Sequence, residues 1–131
     1  MIRIFSTFAL IATTLIATAA HAECVKEGTE VTLEGTLMNK AIYIKPGEFG
    51  WVPRNGFVQY MVLTLKDPFC LQSEGKKFEN EFVIQVGTEA TFTPAELHKG
   101  IAVRATGQVW REETAHHFQH VLLLGAEITR R

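Results

Sequence analysis

The sequence predicts an all-β domain, a small barrel of five strands with one short helix between strands three and four. Three observations support this prediction. Apolar and polar residues alternate with period two in the first and fourth predicted strands. A glycine interrupts each of these two strands, and one strong helix-start signal precedes the fourth. The length of 131 residues, of which 47% are hydrophobic and 21% charged, fits one globular domain.

Polar or turn residues separate the predicted strands. The first and the fourth contain Gly35 and Gly107, where a strongly coiled barrel strand can bend without a side-chain clash. The second ends at Asp67-Pro68, and the third is closed by Gly87. The predicted strands cover residues 31–37, 58–65, 82–86, 101–109 and 121–128.

The helix-start signal combines a capping box with a proline. Thr93 can cap the helix, Pro94 fits the first helical position, and Glu96 follows Thr93 by three residues. Gly100 is expected to end the helix after little more than one turn.

Five strands with a helix between the third and the fourth are the layout of the OB-fold, a Greek-key barrel. An OB-like barrel is therefore the predicted architecture. A β-sandwich or an open meander of the same strands is the alternative.

A secretory signal peptide is predicted over residues 1–22, which leaves a single domain over residues 23–131. Arg3 precedes an apolar run that ends in the cleavage pattern Ala20-His21-Ala22. The run is shorter than the roughly 20 residues that span a bilayer, which disfavours a membrane anchor. The product is expected to be periplasmic or secreted, without membrane association after cleavage.

Cys24 and Cys70 are the two cysteines, and both follow the predicted cleavage site. An even count in an oxidising compartment predicts one structural disulfide between them. The Cys-x-x-Cys spacing of redox-active pairs is absent.

The charge balance argues against nucleic acid as a partner. The first 22 residues contain one of the 13 basic residues and none of the 14 acidic ones, so the mature chain is expected to carry a net charge of −2. Binding to phosphates requires a basic surplus instead.

Several segments resemble a family of small exported bacterial proteins that is catalogued only as a domain of unknown function. They include Val31-Thr32-Leu33-Glu34-Gly35, the stretch from Leu63 to Asp67-Pro68 with Cys70, and Thr114-Ala115-His116-His117. The last, a Thr-x-His-His element before an apolar strand, is the most specific. The family has a shorter and less aromatic stretch where this chain has residues 47–57. The resemblance implies the OB-like fold and export but no activity.

No catalytic residues are predicted, and the protein is expected not to be an enzyme. The mature chain has one serine, Ser73, and one aspartate, Asp67, and both fall on predicted turns beside Cys70. That is an unpromising arrangement for a Ser-His-Asp triad. No cofactor is expected either.

Three histidines lie within five residues: His116, His117 and His120. Imidazole is a common ligand of transition metals, so one hypothesis is a metal site. Two alternatives stay open. One is a turn in which a histidine hydrogen-bonds Thr114 or a backbone carbonyl, and the other is direct contact of the histidines with a ligand.

Aromatic residues interrupt the long connection between the first two predicted strands. Phe49 and Trp51 lie there with Arg54, and Phe57 ends the connection. Exposed aromatics beside a guanidinium suit stacking on sugars or binding to proteins. Alternatively, the loop folds back and buries Trp51 as a lid. Trp110 is also expected to face outward, because its parity is opposite to that of its core-facing neighbour.

OB-folds commonly bind ligands with the loops that join strands one to two and four to five, which here are the aromatic and the histidine segments. The sequence therefore predicts a non-catalytic binding module of the cell envelope, whose ligand is a glycan, a peptidoglycan fragment or a protein. Metal binding by the clustered histidines is the alternative function. The predicted ligand-binding residues are Phe49, Trp51, Arg54, Trp110, His116 and His117.

Overall fold

The computed structural model describes residues 23–131, and the predicted signal peptide over 1–22 lies outside the described residues. The fold is mostly β, as predicted. Its elements are β1 (Val25–Lys26), β2 (Glu30–Tyr43), β3 (Phe57–Ser73), β4 (Lys76–Val86), α1 (Pro94–Lys99), β5 (Ile101–Arg111) and β6 (Val121–Arg130). No helix within residues 23–131 has the length and apolar character needed to cross a membrane.

Hydrogen bonds join the five long strands into a ring. The order within the sheet is β1-β3-β2-β5-β6-β4, and β4 pairs again with β3. Most pairings are antiparallel, whereas β1–β3 and β4–β6 are parallel. The predicted count of five strands is too low, because β1 has only two residues and cannot show an alternating pattern.

The predicted strands lie within the observed ones, which are longer. β3 continues through Asp67-Pro68 to Ser73 instead of ending there. Its pairing with β4 shifts register between Thr64 and Phe69. Pro68 lies within this irregular stretch. The regular hydrogen-bond ladder is interrupted there, so the ladder does not need the N–H that proline lacks.

Alternation of side chains places the core inside the ring. Leu37, Leu63, Ile84, Val103 and Leu123 have no solvent-accessible surface and belong to one hydrophobic cluster. The short helix adds its own apolar residue, since Leu97 is buried against the same cluster. The capping box that positions this helix is confirmed: Glu96 N–H donates to Thr93 Oγ1 at 3.2 Å, and Thr93 N–H donates to Glu96 Oε2 at 2.9 Å.

Both glycines within predicted strands lie where two backbones approach closely. A Cβ on Gly35 would overlap the carbonyl oxygen of Thr64, and a Cβ on Gly107 would lie 2.7 Å from the carbonyl oxygen of Leu124. The absence of a side chain is therefore required by the neighbouring strand at each position.

The predicted disulfide between Cys24 and Cys70 is present. It connects the residue before β1 to β3, and the pairs Val25–Leu71 and Lys26–Gln72 follow directly from it. Residues 24–26 are thus attached to the sheet by a covalent bond and a short parallel ladder.

Candidate functional site

The two-stranded end of the β2–β3 hairpin extends beyond the ring. The pairing of β2 with β5 ends at Leu37, and the pairing of β3 with β4 begins at Val62. Residues 39–43 and 57–61 therefore pair with each other beyond those points, and we call this segment the ribbon.

Residues 44–56 connect the strands of the ribbon and form the aromatic loop. Its ends are joined by a hydrogen bond of 2.7 Å from Ile44 N–H to the Gly56 carbonyl. Three further backbone bonds close successive turns: Glu48 to Lys45, Val52 to Phe49, and Gly56 to Pro53. The glycines and prolines of the sequence thus produce a compact loop.

Residues 112–120 form the histidine loop between β5 and β6. Glu112 N–H donates to the His120 carbonyl at 3.1 Å and closes the loop. Within it, His117 Nδ1 accepts hydrogen bonds from the backbone N–H groups of Glu113 at 2.9 Å and Thr114 at 3.2 Å. Through these two bonds the His117 side chain stabilises the turn.

Gln85 fixes the histidine loop over the outer face of the sheet. Its Nε2 donates to the His116 carbonyl at 2.8 Å, and its Oε1 accepts from Phe118 N–H at 2.6 Å and from Gln119 N–H at 3.3 Å. The register places Gln85 between Val62 and Leu122. These two residues are 2% and 0% exposed yet lie outside the core cluster, so they form a second apolar layer on the outer face.

The aromatic and histidine loops meet above this layer, as the sequence led us to expect. The ring centroids of Trp51 and His116 are 4.1 Å apart, and Trp51 also lies 6.4 Å from the ring of Phe118. Phe118 packs against Tyr60 of the ribbon at 4.9 Å. On the other side of the contact, Phe49 stacks on Trp51 at 5.6 Å.

The most exposed rings of the ribbon and the aromatic loop are not that of Trp51, which is half-buried. Tyr43 is 60% exposed, Phe57 54% and Phe49 43%, and the first two pack edge-on at 5.5 Å. We call these three residues and Ile42 the aromatic patch. All four lie on the ribbon or the aromatic loop, and alternation places Ile42 on the face of the ribbon opposite to Tyr43 and Phe57. Tyr43 was not among the predicted site residues, although its position opposite Phe57 at the end of a hairpin could have identified it.

Two further predicted residues, Arg54 and Trp110, have different surroundings. Arg54 is exposed on the aromatic loop, and no carboxylate of residues 23–131 lies within 4.0 Å of its guanidinium. Trp110 faces outward as predicted, but its ring lies over Gly28 and lines a different cleft. The structure therefore does not join Trp110 to the Trp51 site.

The three clustered histidines have three different environments. His116 contacts Trp51, His117 accepts backbone hydrogen bonds, and His120 Nδ1 lies 2.8 Å from Glu81 Oε1. Within residues 23–131, the metal-binding side chains whose ligand atoms lie within 4.8 Å of one another are Cys24, Cys70 and Glu79, and both thiols are in the disulfide. The histidine cluster is thus not arranged around a common metal position.

Family models, curated proteins and solved structures show no match to this chain. Its function has to be sought in its own side chains. The resemblance to a family of exported bacterial proteins stays a prediction.

Replacement of Gln85 by alanine is expected to release the histidine loop. Two backbone N–H groups and one carbonyl would lose their partner, which should lower the free energy of unfolding by about 2–3 kcal/mol. Denaturant unfolding measures this loss, and red-shifted Trp51 fluorescence would report the loosened contact with His116. Gln59→Ala is the matched control, because this exposed side chain bonds only Asn39 and should cost less than about 0.5 kcal/mol.

The interaction of His120 with Glu81 makes stability depend on pH. The hydrogen bond to the Glu81 carboxylate raises the pKa of His120 above 6.5, and the charges of Glu81 and Glu112 act in the same direction. Partial burial and Lys76 oppose this rise. Because the folded-state pKa is raised, the interaction stabilises the domain fully below the unfolded value, and its contribution is lost as the pH rises through the folded one.

Glu81→Gln should therefore destabilise the domain more at about pH 5.5 than at about pH 8.5. The difference is expected to stay below about 1 kcal/mol, because the His120 side chain is 60% exposed. Unfolding curves of both proteins at the two pH values measure it, and an NMR titration gives the pKa directly. If the loss of unfolding free energy caused by Glu81→Gln grew with pH, the raised pKa of His120 would be wrong.

Proposed function

We propose that this protein is an exported, non-catalytic binding module with an OB-like barrel, and that its ligand is another protein of the cell envelope. The closed ring of five long strands, with α1 between β4 and β5, supports the OB-like assignment. The disulfide supports a location in an oxidising compartment.

The observation on which the proposal rests is the aromatic patch. Four large apolar side chains between positions 42 and 57 are at least 36% exposed, and the ribbon holds them outside the ring. Tyrosine and phenylalanine are enriched at protein interfaces, and the patch contains both. Arginine is enriched there as well, and Arg54 is exposed on the aromatic loop that also carries Phe49. The hydrogen bonds of both loops preorganise this surface, which lowers the entropic cost of binding.

The patch favours a protein over a glycan. Trp51, the side chain best suited to stack on a sugar ring, is half-buried against His116 and Phe118. The exposed rings are those of phenylalanine and tyrosine on a projecting ribbon, a shape that fits an apolar depression on another protein. Residues 39–57 contain three cations, Lys40, Lys45 and Arg54, and one carboxylate, Glu48, so the partner should carry acidic groups around that depression.

Site-specific photo-crosslinking in intact cells tests this proposal. A photoreactive amino acid at Phe49 or Phe57 should yield a discrete protein adduct, and the same group at exposed Lys99, on α1, should not. In the purified pair, Phe49→Ser should weaken binding at least tenfold while leaving the melting temperature nearly unchanged, because this ring is 43% exposed.

Two results would reject the proposal. One is an identical pattern of adducts from Phe49, Phe57 and Lys99, which would reflect random collisions. The other is retention of a glycan by the purified protein that Phe49→Ser abolishes, because the patch would then bind sugar.

A further inference from the structure

A second candidate site lies on the outer face of β5, away from the aromatic patch. It is a cleft of about 460 Å³ whose lining includes Trp110, Gln108 and Thr106 of β5. Glu30 of β2 and Glu127 of β6 line it as well. The cleft thus combines one indole with two carboxylates and two uncharged polar groups.

The backbone of Gly28 packs against one side of the Trp110 indole. A Cβ on Gly28 would lie 3.3 Å from a carbon of the six-membered ring, and Gly28 adopts a positive φ of 79°. A side chain at position 28 would therefore displace the indole. The half-exposed ring keeps the rest of its surface directed at the cleft.

The two carboxylates lie on opposite sides of β5. Glu30 is in register with Gln108 on one side, and Glu127 is in register with Thr106 on the other. Since neighbouring strands are about 4.8 Å apart, the two residues are separated by roughly 10 Å across the sheet.

Neither carboxylate forms a salt bridge with a basic side chain of residues 23–131. No Lys, Arg or His nitrogen of the described residues 23–131 lies within 4.0 Å of Glu30 or Glu127. Glu34, farther along the same face of β2, contrasts with them, because Arg104 pairs with it at 2.6 Å and Arg131 at 3.1 Å. The arginines of this face therefore neutralise Glu34 and leave the cleft negative.

We propose that the cleft binds an organic dication, a ligand with two ammonium or guanidinium groups joined by an aliphatic chain. One cation pairs with Glu30 and the other with Glu127, while the chain packs on Trp110 and on Leu124, which is 36% exposed. The indole also attracts cations through its π face. A neutral sugar would instead desolvate two carboxylates without neutralising them. Free polyamines and paired basic side chains of a peptide share this chemistry.

Fluorescence of a single tryptophan tests the proposal. Trp51→Phe leaves Trp110 as the only tryptophan, and this protein is titrated with 1,6-diaminohexane and with hexylamine, which differ by one ammonium group. The diamine should cause a saturable change and bind at least about tenfold more tightly, because its second contact is intramolecular. Glu30→Gln and Glu127→Gln should each remove most of that advantage, while the exposed Glu79→Gln on β4 should not.

Further titrations separate the two sources of the ligand. Tighter binding of spermidine than of a Lys-Ala-Lys peptide identifies a polyamine site, and the reverse identifies a site for basic peptides. Equal affinity for the diamine and hexylamine would overturn the proposal, as would no saturable change or equal losses in all three glutamine variants. Crosslinking at Phe49 probes another surface, so either proposal can fail without the other.

Discussion

Removal of the Cys24–Cys70 disulfide is expected to lower the free energy of unfolding by about 4 kcal/mol. The bond joins residues 46 positions apart, and a loop of that length has a large entropy in the unfolded chain. A loss of this size is a large fraction of the 5–15 kcal/mol by which a small domain is stable. Denaturant unfolding of the double variant C24A/C70A against the parent measures it.

A second variant separates the covalent constraint from the packing of β1. Val25 is half-buried against the core next to the disulfide, so Val25→Ala with the disulfide intact should cost only about 1 kcal/mol. If the double variant loses no more unfolding free energy than Val25→Ala does, the disulfide contributes little to stability. Packing of β1 against the core would then be what holds β1 on the sheet.

Local patterns in the sequence were sufficient for the strand positions and the helix. Thr93, Pro94 and Glu96 form their capping box within four residues. Alternation in two segments, and apolar runs bounded by polar or turn residues in three, identified every strand longer than two residues. The extent of β3 could not be predicted in this way. Asp67-Pro68 is a local breaker, but pairing with β4 resumes at Phe69 and carries the strand to Ser73. The long-range pairing overrides the local signal there.

The proximity of the two loops could be predicted, because the OB-like layout expected from the sequence places both connections on one face. Trp51 and His116 do meet. The roles of the individual side chains could not be predicted, because they depend on partners distant in sequence. Gln85 is 31 residues from His116 and carried no signal for its three loop bonds. Nothing in the spacing of His117 showed that its Nδ1 accepts from Glu113 and Thr114.

The exposure of the aromatic side chains could not be predicted from the sequence either. The sequence allowed either an exposed or a buried Trp51, and the structure leaves it half-buried while exposing Phe49 and Phe57. Tyr43 lies over Gly56, which has a positive φ of 76° and no side chain to displace the ring. The position of the Tyr43 ring thus depends on the conformation of Gly56, which is known only from the folded hairpin.

Replacement of Gly35 by alanine is expected to destabilise the domain by about 3 kcal/mol, at the upper end of the range for overpacked sites. The new methyl group would overlap the Thr64 carbonyl and lie 3.2 Å from a Leu63 methyl. β2 cannot shift away, because Gly35 pairs with Leu65 on one side and with Val103 on the other. Relief of the clash therefore requires the β2–β3 contact to widen, and the ring with it.

Gly50→Ala supplies the matched control for this substitution. A Cβ at Gly50 meets no atom within 4 Å, and its φ lies outside the left-handed region, so the change should be neutral or stabilise by up to about 1 kcal/mol. Both variants remove one glycine, so subtracting their unfolding free energies cancels most of the effect on the unfolded chain. If Gly35→Ala proved as stable as Gly50→Ala, the Thr64 carbonyl would have to move freely. The contact between β2 and β3 next to the ribbon would then be loose. The ribbon that carries the aromatic patch would not be held rigidly.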